Sequence, residues 1–150
     1  MFLGNFEHTI DEKNRLSVPS SFRQVIQGAS DDRVSITRAI RGSVPCLEVY
    51  PFSEWFTMVE ELSQLPRFDQ RAKDVQTYIV GNAHECAMDK QGRILIAPSL
   101  RQYADLQKDV VLSGEVRRFC IWNNESWLKF NQEMGENVKR DPQYLYVPNP

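Results

Sequence analysis

The chain has 150 residues and a formal net charge of −2, and its shares of hydrophobic (41%) and charged (25%) residues are typical of a globular protein. No apolar run approaches the roughly 20 residues of a membrane-spanning helix, and the first residues lack the basic and apolar regions of a secretory signal. The odd number and wide spacing of Cys46, Cys86 and Cys120 favour reduced thiols in a cytosol over a disulfide framework.

The first part of the chain predicts a strand, a tight turn and a second strand. Residues 6–10 alternate between apolar and polar types, as a half-buried strand does. Asp11-Glu-Lys-Asn-Arg15 follows, and Asn14 is a residue type that tolerates the left-handed backbone conformation of a tight turn. The alternation resumes over residues 15–18, and a proline then leads a helical turn predicted over residues 20–27.

The middle of the chain predicts two strands and two helices. Residues 33–38 and 46–50 predict strands, and residues 38–45 predict a loop that carries two arginines. The first helix has Ser53 as its N-cap and ends before Pro66, and the second runs from about Phe68 to Gly81. Their apolar faces, which we expect to be packing faces, are Trp55, Val59 and Leu62, and Phe68, Ala72, Val75 and Ile79.

Residues 11–23 return as residues 89–101 at a constant offset of 78, without a gap. In this alignment Asp11, Asn14, Arg15 and Arg23 match Asp89, Gly92, Arg93 and Arg101, in that order. A second match, at an offset of 72, places residues 46–50 on 118–122 and Trp55 on Trp127. An internal repeat predicts that both copies form the same unit, whose short helical turn lies at residues 20–27 and 99–106. Asn14 and Gly92 then predict a left-handed residue in each turn.

The end of the chain predicts one more helix and an irregular tail. Asn124 or Ser126 caps this helix, and the tail begins at about Arg140 and contains prolines up to Pro150. The helix has an apolar face made of Trp127, Phe130, Met134 and Val138.

Two β-rich copies can bury their apolar faces against each other. The sequence therefore predicts an α+β fold, in which an intrachain pseudo-dimer forms a small barrel-like core with helices outside. The predicted segments are a first repeat at 5–52, a helical connector at 53–80, a second repeat at 81–124, and a C-terminal helix and tail at 125–150.

The excess of acidic residues lies outside the repeats. Residues 1–52 hold six acids and six bases and residues 81–124 hold five and six, whereas residues 53–74 hold five and three. A net acidic chain argues weakly against nucleic acid as a partner. The neutral to slightly basic repeats nevertheless leave room for a local basic patch.

Each copy has an aspartate at the entry of its turn and an arginine at the exit. A carboxylate there can accept hydrogen bonds from turn amides while it pairs with the guanidinium. Two interpretations remain open at this stage. The pair either only stabilises the turn, or it also orients an arginine toward a ligand.

Motifs typical of enzymes, cofactor sites and metal sites are absent from the sequence. The seven glycines form no phosphate-binding or dinucleotide pattern, and there is no Gly-x-Ser-x-Gly elbow. His84-Glu-Cys86 resembles the start of a zinc deaminase motif, but the required Pro-Cys-x-x-Cys does not follow. We therefore expect no enzymatic activity, no cofactor, no metal and no small-molecule substrate.

The repeats resemble the MraZ family. The similarity lies in Met-Phe-x-Gly near the start, in Asp11-x-Lys13-x-Arg15-Leu-x-Val-Pro19, and above all in residues 81–101. It extends from residue 1 to about residue 135. Two departures are visible: Asn14 stands where the family usually has glycine, and Ala97 stands where it often has proline.

The resemblance implies a bacterial transcription regulator, usually a repressor, built of two SpoVT/AbrB-type repeats in a swapped-hairpin barrel. It implies a cytoplasmic, nucleoid-associated protein. Since no apolar run is long enough to span a membrane, we also expect no membrane partner. It also implies a ring of identical subunits that binds tandem short repeats of double-stranded DNA upstream of the division and cell-wall gene cluster. The alternative from the same fold family is an antitoxin-like module that binds a protein partner.

The resemblance carries the turn residues over as a DNA-binding site. The expected DNA contacts are, in decreasing order of expectation, Arg15, then Lys13, then Arg93 and Lys90. The expected turn-forming and arginine-orienting residues are Asp11, Asn14, Asp89 and Gly92. Arginine suits bidentate contacts with guanine or phosphate, and lysine suits contact by a point charge.

Overall fold

A computed structural model of the protein describes residues 1–29 and 31–148. Its strands are β1 (Asn5–Thr9), β2 (Arg15–Ser17), β3 (Arg33–Arg41), β4 (Val44–Pro51), β5 (His84–Ala87), β6 (Arg93–Leu95), β7 (Asp109–Gly114) and β8 (Phe119–Asn123). Its α-helices are α1 (Ser20–Gly28), α2 (Phe52–Ser63), α3 (Gln70–Ile79), α4 (Pro98–Tyr103) and α5 (Asn124–Arg140). The predicted α+β class is confirmed.

The two repeats exchange their first strands. A six-stranded antiparallel sheet has the order β1-β7-β8-β4-β3-β5, so that β1 of the first repeat pairs with β7 of the second, and β5 of the second pairs with β3 of the first. A separate ladder joins β2 to β6. Because β1 and β5 remain edges, the strands described here form no closed barrel, and the swapped-hairpin barrel stays a prediction.

Apolar side chains of both repeats share one core on one face of the sheet. Phe22 on α1 lies at its centre, with ring centroids 5.2 Å from Phe2, 5.2 Å from Phe6 and 5.0 Å from Phe119. Leu16 and Ile94, from the β2–β6 ladder, are buried in the same cluster. Within residues 1–29 and 31–148, both buried clusters contain side chains of the two repeats, so the repeats bury their apolar faces against each other.

The opposite face of the sheet is covered by helices and carries a charged network. The ring centroids of Tyr50 and Trp55 of α2 lie 5.5 Å apart, and those of Trp122 and Trp127 of α5 lie 5.3 Å apart. These two contacts are equivalent, because the sequence match at an offset of 72 aligns the first pair of residues with the second. The charged network consists of ion pairs of Arg41 with Glu48 (3.3 Å) and Glu115 (2.9 Å), and of Arg118 with Glu48 (2.9 Å) and Glu115 (3.2 Å).

Three predicted helix starts were wrong. The N-cap of α2 is Pro51, not Ser53, because the fixed φ of proline (−55°) already suits entry into a helix. The N-cap of α3 is Asp69, whose side chain accepts from the N–H of Ala72 at 3.0 Å, and this leaves Phe68 outside the helix and 87% exposed. The N-cap of α5 is Asn123, not the predicted Asn124 or Ser126, and its side chain accepts from the N–H groups of residues 125 and 126.

The predicted loop at residues 38–45 is instead a hairpin. Strand β3 continues to Arg41 and β4 begins at Val44, with the ladder intact up to that pair. Gly42 has a φ of 59°, which allows the chain to reverse within two residues. The helical turn of the second copy is also shorter than predicted: α4 ends at Tyr103, and Asp105 has a left-handed φ of 51°.

The tail is more regular than predicted, since α5 extends to Arg140 and a 3-10 helix follows at Pro142–Leu145. Pro150 lies outside the described residues. The cysteines at positions 46, 86 and 120 are free. In the described part of the chain, no helix is long and apolar enough to cross a membrane.

Candidate nucleic-acid interface

The β2–β6 ladder places both repeated arginines on one solvent-facing surface. Leu16 lies opposite Ile94, and both side chains point into the core. Because side chains alternate along a strand, Arg15 and Arg93 lie on the other side of this ladder. Arg15 pairs with residue 95, two residues from Arg93, and diagonal neighbours of this kind lie about 7–8 Å apart.

The two turns have the same backbone geometry. In the first, the N–H of Asn14 donates to the carbonyl of Asp11 at 3.0 Å, and in the second the N–H of Gly92 donates to the carbonyl of Asp89 at 3.0 Å. The φ angles are 63° at Asn14 and 75° at Gly92. The prediction of a left-handed residue in each turn is confirmed.

The aspartate of each turn stabilises the turn and holds the arginine. The carboxylate of Asp11 accepts from the backbone N–H groups of Lys13 and Arg15, both at 2.9 Å, and from Nε of Arg15 at 2.8 Å. Asp89 makes the same three bonds, the one from Nε of Arg93 at 2.9 Å.

Both interpretations of the aspartate–arginine pair are therefore compatible with the geometry. The aspartate occupies only Nε of the guanidinium of Arg15 or Arg93. Across residues 1–29 and 31–148, the terminal Nη groups of these two arginines make no hydrogen bond within the chain. A guanidinium fixed at Nε can still offer a fork of donors to a ligand.

The lysines of the two turns are not equivalent. Lys13 and Lys90 are both exposed, but they do not occupy the same position in the two copies. In the alignment of the repeats, Lys13 matches Gln91, and Lys90 matches Glu12. The first turn therefore has a cation two residues from its arginine, and the second has one three residues away. The two turns offer the same arginine with a different charge pattern around it.

Two further arginines at the turns were not predicted as site residues. Nη1 of Arg101 donates to Oδ1 of Asn14 at 2.8 Å, so α4 of the second repeat reaches the turn of the first. Arg23 of α1 lies over Gly92, where a Cβ would come within 2.3 Å of its Cδ. The signal was present in the sequence, since Arg23 and Arg101 align in the repeat, but the turn that each one contacts follows from the pairing of β2 with β6.

Among the described residues, no group of three or more His, Cys, Asp and Glu side chains could hold a metal ion.

The matching family model is described as "MraZ protein, putative antitoxin-like", and it matches residues 1–78 and again residues 79–144. The chain belongs to the MraZ family.

Three curated relatives, each named transcriptional regulator MraZ, span most of the chain. The protein of Pediococcus pentosaceus is 42% identical over 137 residues, which are 91% of each chain. The protein of Natranaerobius thermophilus is 41% identical over 89% of this chain and 88% of its own. That of Lactiplantibacillus plantarum is 40% identical over 91% and 92%, respectively.

The turn carboxylates of this MraZ-family chain are more acidic than ordinary carboxyl groups. The backbone N–H of Arg15 is the main cause that lowers the pKa of Asp11 below its ordinary value of 3.8, and the Arg15 side chain adds to it. The backbone N–H and side chain of Arg93 lower the pKa of Asp89 in the same way. The ionised form of each carboxylate accepts these hydrogen bonds more strongly than the protonated form does, and this preference lowers the pKa.

We expect this shift to make the two turns sensitive to acid. A carboxyl group whose pKa is lowered on folding stabilises the fold above its unfolded pKa, here 3.8, and this stabilisation is lost as the pH falls through the lowered value. The difference in unfolding free energy between wild type and the double variant D11N/D89N should be constant near neutral pH and should close below pH 3.8. Urea unfolding across a pH series measures it. A difference that stays unchanged far below that pH would contradict the assignment.

Proposed function

We propose that the chain is a transcription regulator that binds double-stranded DNA sequence-specifically through the turns at residues 11–15 and 89–93. The observation that carries the proposal is that each turn presents an arginine held at Nε by an aspartate, and that no other described residue hydrogen-bonds to its Nη groups. The names of the relatives support regulation of transcription. The contact residues in this proposal are Lys13, Arg15, Lys90 and Arg93, and Asp11, Asn14, Asp89 and Gly92 form the turns.

The spacing of the arginines suits a duplex. Diagonal neighbours about 7–8 Å apart span about two base steps, since successive phosphates on one strand rise about 3.4 Å along the axis. Each free fork can make a bidentate contact with guanine or with phosphate oxygens. The neighbouring lysines add contacts to phosphate, which strengthen binding without reading sequence.

We further propose that the protein acts as a repressor, in the form of a ring of identical subunits on tandem repeats upstream of the division and cell-wall gene cluster. Multivalency lets a chain with a net charge of −2 bind DNA tightly, because each added subunit binds at a high effective concentration. Exposed apolar side chains support self-association, among them Phe56 (57%) and Leu128 (61%). In this proposal the protein resides in the cytoplasm at the nucleoid, with repeats at 5–52 and 81–124, a connector at 53–80 and a C-terminal segment at 125–150.

Fluorescence anisotropy tests the DNA-binding proposal. The probe is DNA from upstream of the protein's own gene cluster, and scrambled DNA of the same composition is the control. We expect log K to fall steeply and linearly with log salt, with a slope of about −0.9 for each phosphate neutralised, and a preference for the specific DNA. If a well-folded protein binds neither DNA at low salt, the proposal is wrong, and an antitoxin-like role with a protein partner becomes the better explanation.

A further inference from the structure

Each turn is in contact with an arginine that comes from the other repeat. The guanidinium of Arg101 donates from Nη1 to Oδ1 of Asn14 at 2.8 Å and, at the longer distance of 3.5 Å, to the carbonyl of Asp11. Its Nε donates to the carbonyl of Leu106 at 3.0 Å. One planar group thus joins the residues after α4 to the first turn. Because guanidinium donors have fixed relative directions, this double attachment restricts both partners.

The contact at the second turn is made by packing. Gly92 is buried, and the side chain of Arg23 occupies the space that a Cβ there would need, 2.3 Å from the Arg23 Cδ and 2.7 Å from its Nη1. Glycine has no side-chain oxygen for Arg23 to bind, whereas Asn14 supplies one to Arg101. The Arg101–Asn14 contact is therefore a hydrogen bond and the Arg23–Gly92 contact is a packing contact, because asparagine and glycine differ in their side chains.

We propose that Arg101 and Arg23 are positioning residues for DNA binding, each holding the turn of the opposite repeat. This inference rests on the proposed function. Asn14 directly precedes Arg15, and Gly92 directly precedes Arg93. A contact that holds either left-handed residue in place therefore also restricts the backbone position of the arginine that follows it. Since each contact crosses between the repeats, it also fixes the separation of the two arginines on the ladder. Arg101 and Arg23 act through this separation and touch no DNA themselves.

A double-mutant cycle on DNA affinity tests the first contact. The variants are R101A, N14G and R101A/N14G. Glycine at position 14 keeps the left-handed turn but removes the acceptor. We expect R101A to weaken specific binding about tenfold, as the loss of a hydrogen bond to a charged group would. R101A/N14G should bind DNA about as well as R101A alone, because R101A already removes the hydrogen bond that N14G removes.

The salt dependence separates positioning from direct contact. R101A should keep the wild-type slope of log K against log salt, whereas loss of a phosphate contact would reduce the slope by about 0.9. R101K should not restore affinity, because an ammonium group cannot reproduce the fork that reaches two acceptors. R71A, which removes an exposed arginine of α3, is the matched control for charge and should bind as wild type does.

The outcomes also separate this inference from the function on which it rests. If wild type fails to bind DNA, the proposed function is wrong. If wild type binds but R101A loses slope, or the effects of R101A and N14G simply add, then Arg101 contacts DNA or acts elsewhere, and the positioning role is wrong. If R101A does not fold, N14G and R101K decide the matter, because wild-type affinity in both would equally overturn it.

Discussion

Replacement of Arg15 by alanine is expected to weaken binding to specific DNA by about 100-fold or more. A bidentate arginine contact is worth up to about 3 kcal/mol of discrimination, and a ring would repeat its loss in every subunit. The salt slope should also fall if Arg15 contacts phosphate. Anisotropy measures both quantities. R71A serves again as the control for charge. R93A should have a smaller effect, because the lysine of the second turn lies three residues from its arginine, whereas Lys13 lies two residues from Arg15.

The same variant should fold as wild type does. The side chain of Arg15 is 35% exposed and its ion-pair partner Asp11 is 38% exposed, and ion pairs this open contribute little to stability. Size by gel filtration and the melting temperature should therefore remain close to wild type. An R15A protein that unfolds or loses its assembly would mean that the pair serves only to stabilise the turn, and the DNA contact would have to be reassigned.

Replacement of Phe22 by alanine is expected to lower the free energy of unfolding by about 3–5 kcal/mol. Phe22 is 1% exposed and packs against three aromatic rings, from residues 2, 6 and 119, so the truncation leaves a cavity where the two repeats meet. Urea unfolding at a fixed protein concentration measures the change, since the stability of an oligomer depends on concentration.

The chain offers a matched control for this substitution. Phe68 is 87% exposed, and F68A should change the stability by no more than about 0.5 kcal/mol. A loss below about 1 kcal/mol in F22A would mean that the neighbouring rings move in to fill the space. In that case the shared core would not depend on close packing around this residue.

The turns could be predicted from the sequence because their geometry is local. Asn14 and Gly92 occupy the same place in two copies and are the residue types that best tolerate a left-handed φ. In each copy the aspartate and the arginine are four residues apart and are separated by only one short turn, so their side chains lie close together. The first residues of the helices were harder to predict, and the observed N-caps are Pro51, Asp69 and Asn123. Several residues near each helix start could serve as the N-cap, and the path of the backbone into the helix decides which one does.

The repeat, the α+β class, the two turns and the residues that form them could all be predicted from the sequence, because each depends on local patterns along the chain. The pairing of strands from different repeats follows only from the tertiary structure: β1 pairs with β7, β5 with β3 and β2 with β6. The β2–β6 ladder places each turn beside the other repeat, so that Arg101 reaches Asn14 and Arg23 covers Gly92. Periodicity reports which face of a strand is buried, but it does not report which distant strand lies beside it. That choice depends on how two nearly identical units bury a common core, which is a property of the whole chain.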